Sequence, residues 1–217
     1  MNERESLSIL RDVNIEVGKG EIVSIVGPSG SGKSTLLSLM AGLDTPTSGQ
    51  IIVDGTDLTR LSVEEVTKFR GRRMGFVFQG FHLIPSLTAL ENVMVPLEIA
   101  RHRDPEPVAR AALERVGLAE RLTHRPVQLS GGEQQRVAFA RAIAPSPAIL
   151  FVDEPTGSLD VKTGEVVADL LFDVCREFRV TMILVTHMPS LAERADKIYE
   201  MVNGVLEEKK VKRSGKK

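Results

Sequence analysis

The fold of this 217-residue chain is decided by one stretch, Gly27-Pro28-Ser29-Gly30-Ser31-Gly32-Lys33-Ser34-Thr35. It follows an apolar run at residues 22–26 and opens a helical pattern at residues 34–40. Glycines in such a turn let backbone N–H groups point inward around a phosphate, and the helix N-terminus adds partial positive charge. Lys33 is expected to reach the β- and γ-phosphates, and the Ser34 hydroxyl to ligate Mg²⁺. The stretch predicts a nucleoside triphosphate site; a plain glycine-rich turn is the alternative.

The composition excludes several classes of protein. Hydrophobic residues make up 42% and charged residues 26% of the chain, which is typical of a globular protein. The formal net charge of −1 gives no excess of Lys and Arg for phosphate neutralisation, so no nucleic-acid partner is predicted. The longest apolar runs fall far short of the roughly 20 residues that span a bilayer, and the charged N-terminus does not resemble a secretory signal. The single cysteine fits a reducing compartment, so a cytoplasmic location is expected.

Short apolar runs alternate with helical patterns, which is typical of an α/β fold with a mainly parallel sheet. The predicted buried strands are residues 22–26, 74–78, 148–152 and 181–186. Further strands are predicted at residues 7–17 and 51–54, with a hairpin at 197–202 and 205–207. These additional strands predict an antiparallel edge beside the parallel sheet.

Residues 80–130 have an almost purely helical pattern, with segments at 88–101 and 107–116. We therefore expect one domain over 1–217, with its core at about 1–80 and 130–208 and an inserted helical subdomain at about 80–130. Residues 209–217 form a basic tail. A solvated, disordered tail is expected, with a weak contact to a membrane surface as the alternative.

Two adjacent carboxylates, Asp153 and Glu154, follow the run at 148–152, at the strand end where α/β sheets bind ligands. Neighbouring strand residues point to opposite sides, so the two acids should have separate roles. Asp153 is expected to hold Mg²⁺ through its water shell, and Glu154 to orient and deprotonate the attacking water. The alternative is that both acids cap the following turn.

A second anion site is predicted at Ser130, Gly131 and Gly132, which precede a helix. Ser130 and Glu133 also have the spacing of a capping box, which is the structural alternative. That alternative does not explain two glycines at positions where good helix formers would serve better.

Together these motifs resemble those of the nucleotide-binding subunits of ABC transporters, which are P-loop NTPases. The resemblance covers nearly the whole chain and runs in the family's order. The positions that match the family's motifs are the phosphate loop at 27–35, Gln79, the signature at 129–134, the acid pair at 153–154, the loop at 158–160 and His187.

The resemblance implies a Mg²⁺-dependent ATPase. Gln79 would join Ser34 and Asp153 at the metal, and His187 would sense the γ-phosphate; both would be catalytic with Lys33 and Glu154. It further implies a homodimer formed on ATP binding, in which residues 130–133 of one subunit contact the ATP bound by the other. A separate transmembrane permease would hold the subunit at the inner face of the cell membrane.

A closer resemblance, at residues 75–79, 81–85, 87–93 and 153–157, is to the lipoprotein-releasing and macrolide-efflux type and its cell-division relatives. It implies export or lipoprotein release. An ATPase that regulates a cell-division or other non-transport membrane complex is the alternative, because it shares every motif. ABC-type ATPases of DNA repair or chromosome organisation interrupt the same core with very long coiled coils or zinc modules. Here Ser130 follows Lys33 by only 97 positions, and cysteine pairs that could bind a metal are absent from the sequence.

Two positions depart from the family pattern. The family usually places an aromatic residue for adenine stacking near the start of the domain, whereas no aromatic residue precedes Phe69. We therefore expect either an N-terminal truncation or an adenine held by aliphatic contact. Met188 follows His187 where the family more often has an acid, and a small effect is expected.

Overall fold

A six-stranded sheet forms the centre of the protein in the computed structural model, which describes residues 9–209. The strands in chain order are β1 (Ile22–Val26), β2 (Ile52–Val53), β3 (Thr56–Asp57), β4 (Met74–Val77), β5 (Ile149–Asp153), β6 (Thr181–Val185), β7 (Lys197–Val202) and β8 (Val205–Lys209). The central sheet has the order β4-β5-β6-β1-β7-β8, and only the β7–β8 pair is antiparallel. The predicted mainly parallel sheet with an antiparallel edge is confirmed.

Seven α-helices surround the strands over residues 9–209. They are α1 (Lys33–Met40), α2 (Val63–Arg73), α3 (Ala89–Ile99), α4 (Pro105–Arg115), α5 (Gly131–Ile143), α6 (Val161–Glu177) and α7 (Pro189–Ala192). The sequence sets several of their starts. Capping boxes begin α2, α3 and α5, and a proline opens α4.

The central strands are buried on both faces, which explains their continuous apolar runs. In β5, Leu150 and Val152 join one core cluster while Phe151 joins the other. The first cluster includes α3 to α6 and the second includes α1, so helices cover both sides of the sheet. This packing fixes the carboxyl ends of the strands, where the predicted site residues lie.

The chain between β4 and β5 contains α3, α4, α5 and short 3₁₀ turns, and no strand. Helix α3 packs against α4 and α5, and α5 also contacts β4 and α6. A helical region therefore adjoins the sheet through α5. Its treatment as a subdomain with limits near 80 and 130 stays a prediction.

The predicted strand at 7–17 is wrong over its described part, because no strand occurs in residues 9–20. Asp12 adopts a left-handed conformation with a φ of 44°, which breaks an extended run. The amide of Arg11 instead donates to the Gly204 carbonyl in the β7–β8 turn. Residues 7 and 8, and the predicted basic tail beyond Lys209, lie outside the described residues.

Candidate functional site

Four neighbouring parallel strands bring the predicted site residues to one edge of the sheet. Gln79 lies two residues beyond the end of β4, Asp153 ends β5, His187 lies two residues beyond the end of β6, and the phosphate loop at 27–32 follows β1. Because β4, β5, β6 and β1 are adjacent and parallel, their carboxyl ends meet at a single edge. The edge combines groups that suit a phosphate with groups that suit a metal.

The phosphate loop turns sharply between β1 and α1. Gly27, Gly30 and Gly32 have φ values of 154°, 76° and 104°, which few other residues adopt. A side chain at Gly27 would place its Cβ 2.2 Å from the Met201 carbonyl oxygen, so glycine is also required by space. The Lys33 ammonium donates to the Gly27 carbonyl at 2.9 Å and to the Pro28 carbonyl at 2.8 Å. The loop therefore encloses a buried cation at a helix N-terminus, which suits an anion.

The Ser34 hydroxyl lies 3.5 Å from a carboxylate oxygen of Asp153. Burial raises the pKa of Asp153 and the neighbouring Glu154 raises it further, whereas Ser34 and Lys33 act in the opposite direction. A hydroxyl and a carboxylate brought together are oxygen ligands of the kind that Mg²⁺ prefers, and a cation would relieve the clustered negative charge. These residues fit a magnesium ion. Among residues 9–209, no group of three His, Cys, Asp or Glu forms a separate metal site.

Glu154 is held by two partners from the end of β6. Its carboxylate accepts a hydrogen bond from the Thr186 hydroxyl at 3.3 Å, and its other oxygen lies 2.8 Å from Nδ1 of His187. Its backbone has a φ of 45°, and its amide donates to the Val185 carbonyl. The side chain is thus fixed in direction, as a general base requires. Thr186 is fully buried and was not predicted as a site residue. The one feature of the sequence that could have indicated it is that its hydroxyl-bearing side chain directly precedes His187.

The Gln79 side chain lies beside the loop that follows the acid pair. A Cβ at Gly157 would be 2.9 Å from Gln79 Nε2, and the Gln79 carbonyl accepts from the Ser158 hydroxyl at 3.2 Å. Gln79 is exposed, so its amide is accessible at the same sheet edge as Asp153. The structure therefore brings Gln79 to the loop that follows Asp153 and Glu154.

Ser130 caps α5 through a complete capping box. Its hydroxyl accepts from the Glu133 amide, and the Glu133 carboxylate accepts from the Ser130 amide and hydroxyl, each at 2.9 Å. Arg121 also donates to this carboxylate at 2.9 Å. The Ser130 amide, followed by other partners that include Arg121, lowers the pKa of Glu133 to about 2 despite its burial.

The two signature glycines also have a packing reason within the chain. A Cβ at Gly132 would lie 2.3 Å from Cγ2 of Thr163 on α6, and one at Gly131 would lie 3.2 Å from Leu159. Glycine at 132 therefore lets α5 approach α6 closely. Ser130 remains exposed at the start of α5.

A sequence model described as "ABC transporter" matches residues 10–157. The chain is 51% identical to the ABC transporter ATP-binding protein YbbA of Escherichia coli (strain K12), over 93% of this chain and 90% of that protein. It is 47% identical to the lipoprotein-releasing system ATP-binding protein LolD of Bacteroides fragilis (strain YCH46), over 92% and 93% of the two chains.

Solved structures resemble this fold over its whole extent. The dimeric post-hydrolysis state of the ATP-binding cassette MJ0796, bound to ADP and Pi, superposes with a TM-score of 0.87 at 42% identity, covering 98% of this chain and 94% of that one. A dimeric structure of MJ0796, described as a bacterial ABC transporter cassette, gives the same TM-score over 97% and 94%. Within residues 9–209, none of the helices has both the length and the apolar character needed to span a bilayer.

Proposed function

The chain belongs to the ABC transporter ATP-binding family, and on that premise we propose that it is the Mg²⁺-dependent ATPase subunit of a transporter of the lipoprotein-releasing type. The observation that carries the proposal is the meeting of Lys33, Ser34, Asp153, Glu154 and His187 at one edge of the sheet. Relatives named LolD support the transporter type.

ATP binding depends on the phosphate loop. When phosphate enters, Lys33 exchanges the Gly27 and Pro28 carbonyls for phosphate oxygens, which are stronger partners because they are charged. The inward N–H groups of residues 27–35 and the N-terminus of α1 share the remaining negative charge. Binding is therefore expected to depend on Lys33 more than on any contact with the base.

Ser34, Asp153 and Gln79 are the residues that would hold Mg²⁺. The ion would supply positive charge between the β- and γ-phosphates. Ser34 would offer its hydroxyl directly, Asp153 would act through the water shell, and Gln79 would approach the site from the β4 side. The three groups come from three different segments, so the site requires the folded sheet.

Glu154 is the proposed general base. Its carboxylate accepts a proton from the attacking water, whose oxygen bonds to the γ-phosphorus while the bond from that phosphorus to the β–γ bridging oxygen breaks and ADP leaves. Thr186 and His187 keep the carboxylate oriented. His187 would also contact a γ-phosphate oxygen. Hydrolysis is thereby separated from binding, because Glu154 acts on the water and Lys33 acts on the phosphate.

The proposed active unit is a homodimer. The start of α5 in one subunit, at Ser130, Gly131, Gly132 and Glu133, would lie against the ATP in the phosphate loop of the other. Glu133 would act indirectly, through its hydrogen bonds to Ser130. Exposure of Ser130 at the start of α5 and the dimeric solved cassettes support this arrangement. Gln79, between the sheet and the helical region at 80–130, would pass the nucleotide state to a separate membrane permease, which would hold the subunit at the cytoplasmic face of the membrane.

The experiment is a Glu154→Gln variant examined by light scattering with and without MgATP. The variant should bind ATP and lose hydrolysis by roughly 10²- to 10⁴-fold, so that trapped ATP bridges two subunits into a dimer. Ser130→Arg in that background should return the protein to a monomer, because a bulky cation does not fit where a small hydroxyl approaches the phosphate. A variant that hydrolyses ATP at the wild-type rate removes Glu154 from the mechanism. One that binds ATP but stays monomeric refutes the shared site.

A further inference from the structure

The backbone around Gln79 is held mainly by side chains from other parts of the chain. The Phe78 carbonyl accepts from the Gln135 side chain at 3.4 Å, and the Gln79 carbonyl accepts from Ser158 at 3.2 Å. Beyond these, the chain enters a turn that lies outside the regular helices and strands. Two backbone hydrogen bonds close this turn, from the Phe81 amide to the Phe78 carbonyl at 3.3 Å and from the His82 amide to the Gly80 carbonyl. Its other carbonyls accept from side chains, so those side chains help to determine its conformation.

Arg141 supplies the side-chain partners for the carbonyls of Phe81 and His82. Its guanidinium donates to the His82 carbonyl at 2.6 Å and to the Phe81 carbonyl at 2.9 Å. Phe81 and His82 have φ values of 57° and 48°, a conformation that non-glycine residues adopt only when their surroundings enforce it. The planar, forked guanidinium matches two neighbouring carbonyls, which a lysine ammonium does with less geometric precision.

Arg141 has a further feature that ties it to this turn. Burial lowers the pKa of its guanidinium, and no carboxylate of the described residues offsets that effect. A partly buried cation without an anionic partner depends on its hydrogen bonds to carbonyls. The two bonds therefore constrain Arg141 as much as they constrain the turn.

The later part of the same loop has its own support. The buried Asn92 side chain accepts from the Ile84 amide at 2.7 Å and donates to the carbonyls of Ile84, Leu87 and Thr88. Loss of Arg141 should therefore loosen residues 80–83 and leave residues 84–88 in place. This contrast makes a local effect distinguishable from general destabilisation.

We propose that Arg141 is a positioning residue for ATP hydrolysis, which holds the turn after Gln79 and so sets where the Gln79 amide lies. Arg141 stands near the end of α5, and Ser130 caps the start of the same helix. A rigid helix thus connects the proposed contact with the second subunit to the proposed magnesium ligand. The proposal rests on the proposed role of Gln79.

The test compares Arg141→Met with Arg110→Met, which removes an exposed guanidinium that pairs with Glu106 on α4. Hydrogen exchange should quicken at the amides of residues 80–83 in Arg141→Met alone, with residues 84–88 unchanged. The kcat for ATP should fall by about 10- to 100-fold, as expected for a misplaced group, while the Kd for ATP stays within about 3-fold. Arg141→Lys keeps the charge and should recover part of the kcat that Arg141→Met loses. If Arg141→Met does not fold, Arg141→Lys is compared with the wild type in the same measurements.

A double-mutant cycle with Gln79→Ala separates the two proposals. If Arg141 acts through Gln79, the double variant should be no slower than Gln79→Ala alone. The positioning role of Arg141 is overturned if the fall in kcat of the double variant equals the product of the falls in the two single variants. It is also overturned if hydrogen exchange at residues 80–83 is unchanged in Arg141→Met. Either result leaves the proposed role of Gln79 intact. An unchanged kcat in Gln79→Ala removes Gln79 from the mechanism. That result contradicts the proposed function, and it does not contradict the claim that Arg141 holds the turn at residues 80–83.

Discussion

Nδ1 of His187 lies 2.8 Å from a carboxylate oxygen of Glu154, so the proposed base and the proposed γ-phosphate contact form a hydrogen-bonded pair. The two residues follow neighbouring parallel strands, β5 and β6, whose register sets Asp153 opposite Val185. The pair is therefore a product of strand alignment. Loss of either side chain should slow hydrolysis more than it weakens ATP binding.

We expect His187→Ala to lower kcat by roughly 10²-fold, because Glu154 loses an orienting partner and the phosphate loses a contact. The Kd for ATP should change by less than about 3-fold, since Lys33 and the phosphate loop remain. Phosphate release and calorimetry provide the two measurements. His102→Ala, at an exposed histidine between α3 and α4, is the matched control. A wild-type kcat in His187→Ala would show that Glu154 works without the imidazole.

Lys33→Ala should abolish useful affinity for MgATP. Lys33 is buried, and its ammonium is the cation enclosed by the phosphate loop, so its removal leaves phosphate charge without its partner. Calorimetry on the variant measures this directly. Lys68→Ala removes a surface ammonium that pairs with Glu64 and should bind as the wild type does. Wild-type affinity in Lys33→Ala would contradict the assignment of the loop.

The sequence predicted most of the sheet because local patterns set it. The bounds of β1 and β7 agree with the prediction, β4 and β6 each end one residue earlier than predicted, and β5 is shifted by one residue at both ends. The prediction failed at residues 9–17, where alternating apolar residues resemble a strand but Asp12 turns the backbone to positive φ. That turn is stabilised by the distant Gly204 carbonyl, which no local pattern shows.

The site was predictable to the extent that its residues lie in short motifs. Lys33, Asp153 and Glu154 each follow a recognisable strand, so their position at one edge follows from the α/β pattern. Thr186 and Arg141 were missed, because their importance depends on neighbours that only the folded chain supplies. A buried hydroxyl and a half-buried guanidinium have no signature in sequence beyond their residue type.

The chain should discriminate poorly between ATP and GTP. No aromatic residue precedes Phe69, and the side chains that approach Gly32 of the phosphate loop are those of Leu10 and Met201, neither of which is aromatic. If the adenine is held by aliphatic contact, which is one of the two expectations from the sequence, stacking contributes little to base recognition, whereas an aromatic platform would add roughly 1–3 kcal/mol. Calorimetric competition should give Kd values for the two nucleotides within about 5-fold. A strong preference for ATP would show that other contacts hold the adenine.

Glu133 should stabilise the fold more than its counterpart Glu91 in the capping box of α3. Both carboxylates accept from the amide and hydroxyl of their cap residue, but that of Glu133 also accepts from Arg121 at 2.9 Å, whereas Arg125 acts on Glu91 through its charge alone. Glu133→Ala should lower the free energy of unfolding by about 1–2 kcal/mol at neutral pH, measured with urea, and Glu91→Ala by less. Equal losses would mean that Arg121 adds nothing.

The stabilisation by Glu133 should also depend on pH in a defined direction. Its pKa is lowered from 4.5 to about 2 in the folded protein, so between these values the unfolded chain binds a proton that the folded chain does not. The contribution of its charge is then complete above about pH 4.5 and is lost as the pH falls toward 2. The difference in unfolding free energy between wild type and Glu133→Ala should therefore shrink below about pH 4.5, and a difference that is constant down to about pH 3 would show that the cap works without its charge.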